Sequence, residues 1–340
     1  MSNVTIIMPA YNVSDYIETA IKSVLKQTLT DWELIIIDDG STDDTLPIVQ
    51  QFIQQDSRIQ YVFQENSGQH AARLTGLRLA SADFITFLDA DDWVSPKWLE
   101  IGVRELNDVD MVNVGIEYVY GYEMPKEIQD KKSKILRGSD VLCEWVLERD
   151  INGYLCTKFI KKALMMPLLK MSETPKFNYL EDVWTIDRFI DNVNSVAVVE
   201  EPLYYYLQRK NSTVHSEMPI EKKKYAYQLV EHLMGRYIGE SYLGNCVMYR
   251  LRRTYMKMLS SMTISEIHNE KTYLLNILEL LKSEDDGFDD MHMFDRLVWK
   301  ICELKLLTLA MIIRNGLVFL KNGEVTKWLK SHWLVQVVDI

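Results

Sequence analysis

The sequence predicts an α/β protein with a mixed, mainly parallel sheet flanked by helices, followed by a mainly helical C-terminal region. Up to residue 95, short apolar, β-prone segments alternate with segments whose apolar residues recur at helical spacing. Each apolar segment ends in a small polar turn marked by Gly or Pro or followed by acidic residues. Hydrophobic residues make up 47% of the 340 residues, which is enough for a sizeable core.

The individual elements follow from these patterns. Apolar runs of this length are typical of strands buried on both faces of a parallel sheet. Ser14 is predicted to cap the first helix, and Ser41 or Thr42 the second, because hydroxyl side chains accept from the first helical N–H groups. The predicted strands are Val4–Met8, Glu33–Ile37, Ile59–Phe63 and Phe84–Leu88, and the predicted helices are Asp15–Gln27, Asp44–Gln54 and a third that carries Ala72, Arg73, Gly76 and Leu79.

Three carboxylates follow the fourth strand within four positions, namely Asp89, Asp91 and Asp92. The carboxyl end of a strand is where open α/β sheets bind ligands. Hard oxygen ligands there suit Mg²⁺ or Mn²⁺, and such an ion suits a diphosphate. The alternative is an acidic helix N-terminus, since Asp is favoured near the positive end of a helix. Asn12, Asp39 and Arg73 are expected to lie at the same crevice.

Composition limits the function and the compartment. The net charge of −11 argues against a nucleic-acid partner. The four cysteines lack paired spacing, which fits a reducing compartment. We interpret the N-terminal run as a strand, not a signal peptide, and find no uncharged stretch long enough to cross a membrane. These observations predict a cytoplasmic protein.

Four short motifs together resemble glycosyltransferase family 2 in their order and spacing. Each motif is weakly specific alone, but all four fall within the first hundred residues. The resemblance implies the GT-A fold and inverting transfer from a nucleotide sugar. The motifs are Pro9–Asn12, Asp38–Asp43, Asn66–Gly68 with Ala72, Arg73 and Gly76, and Leu88–Asp92.

The resemblance assigns a donor pocket to the first half of this region. Pro9, Tyr11 and Asn12 would cradle the nucleoside, and Asp39 would accept a hydrogen bond from the base, which suits uracil. Arg73 would lie beside the diphosphate or the base as the cationic counterpart. The structural alternatives are a core aromatic for Tyr11, a turn residue for Asp39 and a solvated helix residue for Arg73.

The resemblance also implies a metal site for Mn²⁺ or Mg²⁺. Asp91 would hold the metal on the diphosphate, and Asp89 would hold the ribose or a metal-bound water. His215 is a candidate third ligand, although a lone histidine is more often an ordinary surface residue. Arg209 and Ser212 are candidates for contact with the diphosphate.

The pair Glu181 and Asp182 opens a predicted amphipathic helix, where acidic residues are common for electrostatic reasons. The resemblance makes Asp182 the general base and Glu181 a positioning or acceptor-binding partner. Lys158 either touches a phosphate or the acceptor, or lies on the polar side of an ordinary helix. The stretch Gly121–Ile135 is predicted to be a loop that contacts the acceptor or simply connects elements.

Residues 1–218 are predicted to form the catalytic domain, with residues 1–95 binding the nucleotide sugar and residues 96–218 the acceptor. Residues 219–340 are predicted to be helical. Between Met291 and Trp333, seven basic and three acidic residues give a local charge of +4, accompanied by three tryptophans. This segment either lies on anionic membrane at the inner face of the cell, or packs on the catalytic domain or on a second subunit in a homo-oligomer.

The predicted function is inverting, metal-dependent transfer from a nucleotide sugar, with a UDP-sugar preferred. The acceptor would be a hydroxyl of a glycan or lipid-linked acceptor in surface or exopolysaccharide synthesis. A sugar nucleotidyltransferase would need a Gly- and Arg-rich loop after the first strand, where this chain has Pro9–Asn12. The remaining alternative is a non-catalytic nucleotide-sugar-binding or scaffold subunit of a glycan assembly complex.

Overall fold

The computed structural model describes residues 3–121, 132–171, 180–208, 219–237 and 243–281. The chain divides into two compact units, Met1–Ser216 and Glu217–Ile340. The predicted site residues Arg209, Ser212 and His215 lie outside the described residues, as do most of the loop predicted at Gly121–Ile135 and the basic, tryptophan-bearing segment near the C-terminus.

In the described part of the first unit, nine strands form one sheet. The strands are β1 Val4–Ala10, β2 Trp32–Asp38, β3 Ile59–Phe63, β4 Phe84–Phe87, β5 Trp93–Val94, β6 Met111–Val119, β7 Lys134–Arg137, β8 Lys158–Lys161 and β9 Ser195–Leu207. Their order is β3-β2-β1-β4-β8-β6-β9-β5, with β7 also paired to β9. The strands β1 to β4 pair in parallel, β6 and β9 also pair in parallel, and the other pairs are antiparallel. The predicted mixed, mainly parallel sheet flanked by helices is therefore confirmed.

Seven helices accompany this sheet within the described residues. They are α1 Ile17–Leu25, α2 Thr45–Ile53, α3 Gln69–Leu79, α4 Trp98–Leu106, α5 Ser139–Leu147, α6 Lys162–Met165 and α7 Glu181–Ile190. Two 3-10 turns, Leu155–Thr157 and Met166–Lys170, connect some of these elements.

The predicted caps at the first two helices are wrong. No side chain caps α1 or α2. The Oγ of Ser41 instead accepts from the N–H of Asn12 at 3.0 Å, and the N–H of Thr42 donates to Asn12 Oδ1 at 2.8 Å. The N–H of Ser14 donates to Asp43 Oδ2 at 2.9 Å. These polar groups join the loops after β1 and β2 to each other, so their hydrogen-bonding capacity serves the crevice and not the helix ends.

The central strands are apolar because both of their faces are covered. Every residue of β1 and of β2 is buried. On one face, Ile6 and Ile36 belong to the main core with α1 and α4. On the other face, α3 lies so close that a Cβ added to Gly76 would be 2.4 Å from Cγ2 of Ile7. The close packing of α3 on β1 therefore requires glycine at this position.

Two predictions in the second half of the sheet are wrong. Lys134 and Ile135, placed at the end of the loop, begin β7 and pair with β9. Lys158, placed on the polar side of a helix or against a phosphate or the acceptor, begins β8 and is fully buried. Both errors arise because short polar strands are fixed by pairing with distant strands, which local patterns do not encode.

The described part of the second unit is helical, as the apolar spacing predicts. Its helices are α8 Ile220–Met234, α9 Leu243–Ser261, α10 Ile264–Asn269 and α11 Lys271–Leu281. The side chain of Thr263 accepts from the N–H of Glu266, and the Glu266 side chain accepts in return from the N–H of Thr263, so α10 begins with a capping box. Among the helices described in either unit, none combines the length and apolarity needed to cross a membrane.

Candidate active site

A cleft of about 520 Å³ lies at the carboxyl ends of β1, β2 and β4, where the parallel strands direct their polar turns. A larger cavity of about 800 Å³, beside α4 and β7, contains none of the predicted site residues. The smaller cleft is therefore the candidate site. Its lining comprises Pro9, Ala10, Tyr11, Val13, Asp39, Asn66, Gly68, Gln69, Asp89, Ala90, Asp91, Tyr206 and Leu207.

Asp39 organises the base-binding end predicted for this cleft. It is buried, and its carboxylate accepts from the N–H groups of Ser67 at 2.9 Å and Gly68 at 2.8 Å. The side-chain amide of Gln64 donates to the same carboxylate at 2.7 Å. Since a carboxylate has about four lone-pair sites, one acceptor position remains for a ligand N–H. Asp39 thus fixes the loop after β3 and keeps capacity for a base.

Asn12 connects loops and does not line the cleft. Its backbone has φ 51°, in the left-handed region that Asn tolerates better than most residues. The side-chain oxygen of Asn12 accepts from the N–H of Thr42, so it joins the turn after β1 to the turn after β2. Tyr11, in contrast, lines the cleft and is 51% exposed, which leaves its ring available to a ligand.

Arg73 is buried next to the cleft and is not a solvated helix residue. Its side chain is only 4% exposed and does not itself line the cleft. The guanidinium pairs with Asp182 Oδ1, with Asp89 Oδ1 at 3.1 Å and with Glu181 Oε1 at 3.6 Å. Its positive charge is thus shared by three carboxylates. Arg73 joins the acidic motif after β4 to the acidic pair of α7, a connection that sequence reasoning missed.

Asp182 lies in a largely buried environment with charged neighbours. Burial raises its pKa, Arg73 lowers it, and the neighbouring Glu181 and Asp89 raise it again, so that the pKa is about 7. The N–H of Leu155 donates to Asp182 Oδ2 at 3.0 Å and fixes its orientation together with Arg73. A base works best when its pKa is near the operating pH. Glu181 lies beside it in the first turn of α7, as predicted.

The three carboxylates after β4 have separate environments. Asp89 Oδ1 accepts from the side-chain amide of Gln69 at 2.9 Å as well as from Arg73. Asp91 lines the cleft. Asp92 is buried and accepts from the hydroxyl of Tyr204 at 2.7 Å and the N–H of Leu207 at 2.8 Å. Burial, Asp91 and Asp89 raise the pKa of Asp92 well above its ordinary value. Asp92 therefore ties the motif to β9.

Asp89 and Asp91 fit a divalent cation. No group of three or more His, Cys, Asp or Glu side chains suited to a metal occurs among the described residues. Mg²⁺ needs no such cage, because it is usually bound by one or two carboxylates together with substrate phosphates and water. Two carboxylates at the cleft match that mode, and a diphosphate would supply the remaining oxygens.

Lys158 holds the turn that contacts Asp182. Its Nζ donates to the side-chain oxygens of Asn113 at 2.5 Å, Asn152 at 2.9 Å and Thr157 at 2.8 Å, and to the carbonyl of Tyr154 at 3.0 Å. Burial lowers its pKa to about 7. These bonds hold the turn whose next N–H, that of Leu155, points at Asp182. The buried lysine carries no signal in the local sequence that distinguishes it from a surface lysine.

Comparison with known proteins finds similarity to glycosyltransferases. Residues 5–154 match the family described as Glycosyl transferase family 2. Glycosyltransferase GlyG of Streptococcus pneumoniae is 27% identical over 267 residues, covering 75% of this chain and 86% of that protein. Putative glycosyltransferase EpsH of Bacillus subtilis is 28% identical over 216 residues, covering 62% of each chain.

The fold has a counterpart among solved structures. The crystal structure of S. aureus TarS 1-349 superposes with a TM-score of 0.68 at 17% identity, covering 92% of this chain and 90% of that chain. The family match, the glycosyltransferase relatives and this likeness of fold agree with the arrangement of cleft and carboxylates. The chain is a glycosyltransferase whose residues 5–154 match glycosyltransferase family 2, with the GT-A fold.

Proposed function

We propose that this enzyme transfers a sugar from a UDP-sugar to a hydroxyl group of a glycan or lipid-linked acceptor, with inversion and with a divalent cation. The observation that carries the proposal is the Arg73 bridge, which holds Asp182 close to Asp89 at the donor cleft. A single displacement needs a base close to the bound donor. The shared contacts of Arg73 would place Asp182 and Asp89 close together in this way.

The donor assignment has support from the cleft and from a structural relative. Asp39 retains an acceptor position for a base N–H, which suits uracil. Crystal structures of S. aureus TarS 1-349 are in complex with UDP and with UDP-GlcNAc. Asp89 and Asp91 would hold the cation on the diphosphate. When bound, that cation supplies positive charge against the leaving phosphate oxygens.

The chemical step uses Asp182. Its carboxylate takes the proton from the acceptor hydroxyl while the hydroxyl oxygen attacks the anomeric carbon of the donor sugar. The bond from that carbon to the diphosphate oxygen breaks, and UDP leaves with the electron pair. Because the hydroxyl attacks the face of the anomeric carbon opposite the leaving diphosphate in a single displacement, the configuration inverts. The Leu155 N–H and Arg73 keep the carboxylate oriented throughout.

The proposal places the enzyme in the cytoplasm. It also includes contact of the C-terminal segment with a membrane or with a second subunit. The residues near the C-terminus that suggest such contact lie outside the described ranges. Polysaccharide synthesis as the setting has support from relatives such as the putative teichuronic acid biosynthesis glycosyltransferase TuaG of Bacillus subtilis, 47% identical over 96 residues that make up 36% of that protein.

The test is thermal stability with UDP alone, Mn²⁺ alone and both together, followed by UDP release from a panel of UDP-sugars. A ligand that binds only the folded state raises stability by about 2.7 kcal/mol at a hundredfold excess over Kd. We expect a large shift only with both ligands, reduced in Asp91→Asn and kept in Asp140→Asn, an exposed acid in the first turn of α5. A shift with GDP or TDP and not UDP would reassign the donor. No shift with any nucleotide would favour a scaffold.

A further inference from the structure

Three tyrosine rings are clustered at one edge of the donor cleft, and we call this cluster the tyrosine platform. Tyr118 comes from the end of β6, Tyr154 from the turn before Leu155, and Tyr206 from β9. The ring centroids of Tyr118 and Tyr206 are 5.6 Å apart, and those of Tyr154 and Tyr206 are 6.3 Å apart. The hydroxyls of Tyr118 and Tyr154 lie 3.4 Å from each other.

The tyrosine platform is open to solvent although aromatic rings gain from burial. Tyr118 is 49% exposed and Tyr154 is 39% exposed. Tyr206 is half-buried, and it is the register partner of Tyr118 where β6 pairs with β9. Clustered exposed aromatic residues with polar tips are typical of binding surfaces, where the rings provide area and the hydroxyls provide hydrogen bonds.

The position of the platform determines which ligand it meets. Tyr206 also lines the donor cleft, so one end of the platform continues into that cleft. Tyr154 immediately precedes Leu155, whose N–H donates to Asp182, so the other end adjoins the candidate base. An acceptor hydroxyl must lie within hydrogen-bond reach of Asp182 and face the donor sugar. The rest of the acceptor would then lie along the tyrosine platform, between the donor cleft and Asp182.

We propose that the tyrosine platform binds a pyranose ring of the acceptor glycan. This inference rests on the proposed function. The ring C–H groups of a pyranose form a continuous apolar face that packs on the negative faces of aromatic rings. The tyrosine hydroxyls, which donate and accept, reach the hydroxyl groups at the sugar edge. The acceptor is thus a cyclic sugar, not an acyclic polyol, because a polyol presents no such rigid face.

The test is ligand-observed saturation-transfer NMR on the full chain with UDP and Mg²⁺ bound, since Mg²⁺ is diamagnetic and leaves the sugar signals intact. The probes are cellobiose, N,N′-diacetylchitobiose and maltose, with sorbitol as the acyclic comparison. Three proteins are compared: the wild type, the double variant Tyr118→Ala/Tyr154→Ala, and the matched variant Tyr118→Phe/Tyr154→Phe, which keeps the rings. Thermal melting with UDP and Mn²⁺ on each protein confirms its folding and donor binding.

We expect ring-proton saturation of at least one disaccharide with the wild type and little with sorbitol. The alanine variant should bind that disaccharide about tenfold more weakly, since two stacking rings are lost, while the phenylalanine variant retains most of the binding. UDP stabilisation should be equal in all three proteins. Equal saturation in wild type and alanine variant, or equal saturation by sorbitol, would overturn the inference.

Two further outcomes separate this inference from the proposed function. UDP stabilisation of the wild type without saturation of any of the three disaccharides would overturn the platform and leave the donor assignment intact. A fall in UDP stabilisation in the alanine variant alone would also overturn it, because the rings would then serve the nucleotide. Absence of UDP stabilisation in the wild type would overturn the proposed function and this inference with it.

Discussion

The two halves of the sheet in the first unit contribute to the same site in different ways. The strands β1 to β4 are parallel, and the turns at their carboxyl ends place Asp39 and Asp91 at one cleft. The strands β5 to β9 pair in mixed directions, and Asp182 beside them is held by contacts from distant segments. Arg73 and Asp182, for example, are 109 positions apart. The cleft residues are thus placed by the turns at strand ends, whereas the position of Asp182 follows from long-range packing.

Arg73→Met should have the largest effect, because Arg73 connects the two halves of the first unit. Removing one partner of a buried ion pair costs about 3–5 kcal/mol, since the remaining charges are left uncompensated. We expect the free energy of unfolding of this variant to fall by that amount and UDP release to be lost. Urea denaturation measures the first quantity. Arg78→Met, an exposed arginine on the same helix, is the control and should change little. Equal stability of the two variants would contradict the role of the bridge.

Gly76→Ala tests the packing of α3 on β1 in the donor half. The new Cβ would lie 2.4 Å from Ile7 Cγ2, and Ile7 is fully buried. Overpacking of this kind costs about 1–3 kcal/mol, of which better helix propensity returns up to about 1. Thermal unfolding should therefore show a net loss of stability. Gly235→Ala in the second unit meets no atom within 4 Å and should show no such loss. A stabilised Gly76→Ala would show that the helix packing is looser than described.

The pH dependence of turnover sharpens the assignment in the other half. Asp182 acts as a base only when it is deprotonated, and its pKa is raised to about 7. The ratio kcat/KM, which reports the free enzyme, should fall about tenfold for each pH unit below that pKa and level off above it. The residual turnover of Asp182→Asn should lack this dependence. A wild-type profile that stays flat between about pH 5.5 and 8 would argue against Asp182 as the base.

The smallest expected effect concerns Asp43, which supports the donor-side loops. Burial raises its pKa, but hydrogen bonds from Thr45 and Ser14 lower it to about 2. A lowered pKa contributes stability above the unfolded value, and this contribution is lost as pH falls toward 2. Asp43→Asn should therefore be less stable than wild type at pH 7, and the difference should shrink as the solution is acidified. Denaturant unfolding at pH 7 and pH 3 measures it. A difference that grows on acidification would have the wrong sign.

The difference between local turns and long-range packing also explains which features the sequence could predict. The strand Ile59–Phe63 matches its prediction at both ends, and the helix opened by Glu181 begins where predicted. In both cases the apolar periodicity and the flanking turn are local. The polar side chains after β1, β2 and β4 could be placed in one crevice because parallel strands share an edge.

The errors have a common physical cause, which is pairing with distant residues. Lys158 looks like a surface lysine, yet it donates hydrogen bonds to the side-chain oxygens of Asn113 and Asn152 inside the fold. The ion pairs of Arg73 with acidic side chains from two other segments could not be foreseen either. Asp92 is one of three similar carboxylates, and its burial against Tyr204 and Leu207 of β9 distinguishes it. Side-chain partners far apart in the chain are set by the fold and leave no local pattern.

We infer that donor binding and base catalysis reside in separable parts of one site. The most direct measurement compares UDP affinity, by calorimetry with Mn²⁺, and sugar turnover in Asp182→Asn and Asp39→Ala. We predict that Asp182→Asn retains UDP affinity while turnover falls about 10²- to 10⁴-fold. Asp39→Ala should instead lose about ten- to a hundredfold in UDP affinity, since a buried charged acceptor is removed. Undiminished turnover in Asp182→Asn, or unchanged UDP affinity in Asp39→Ala, would contradict the account.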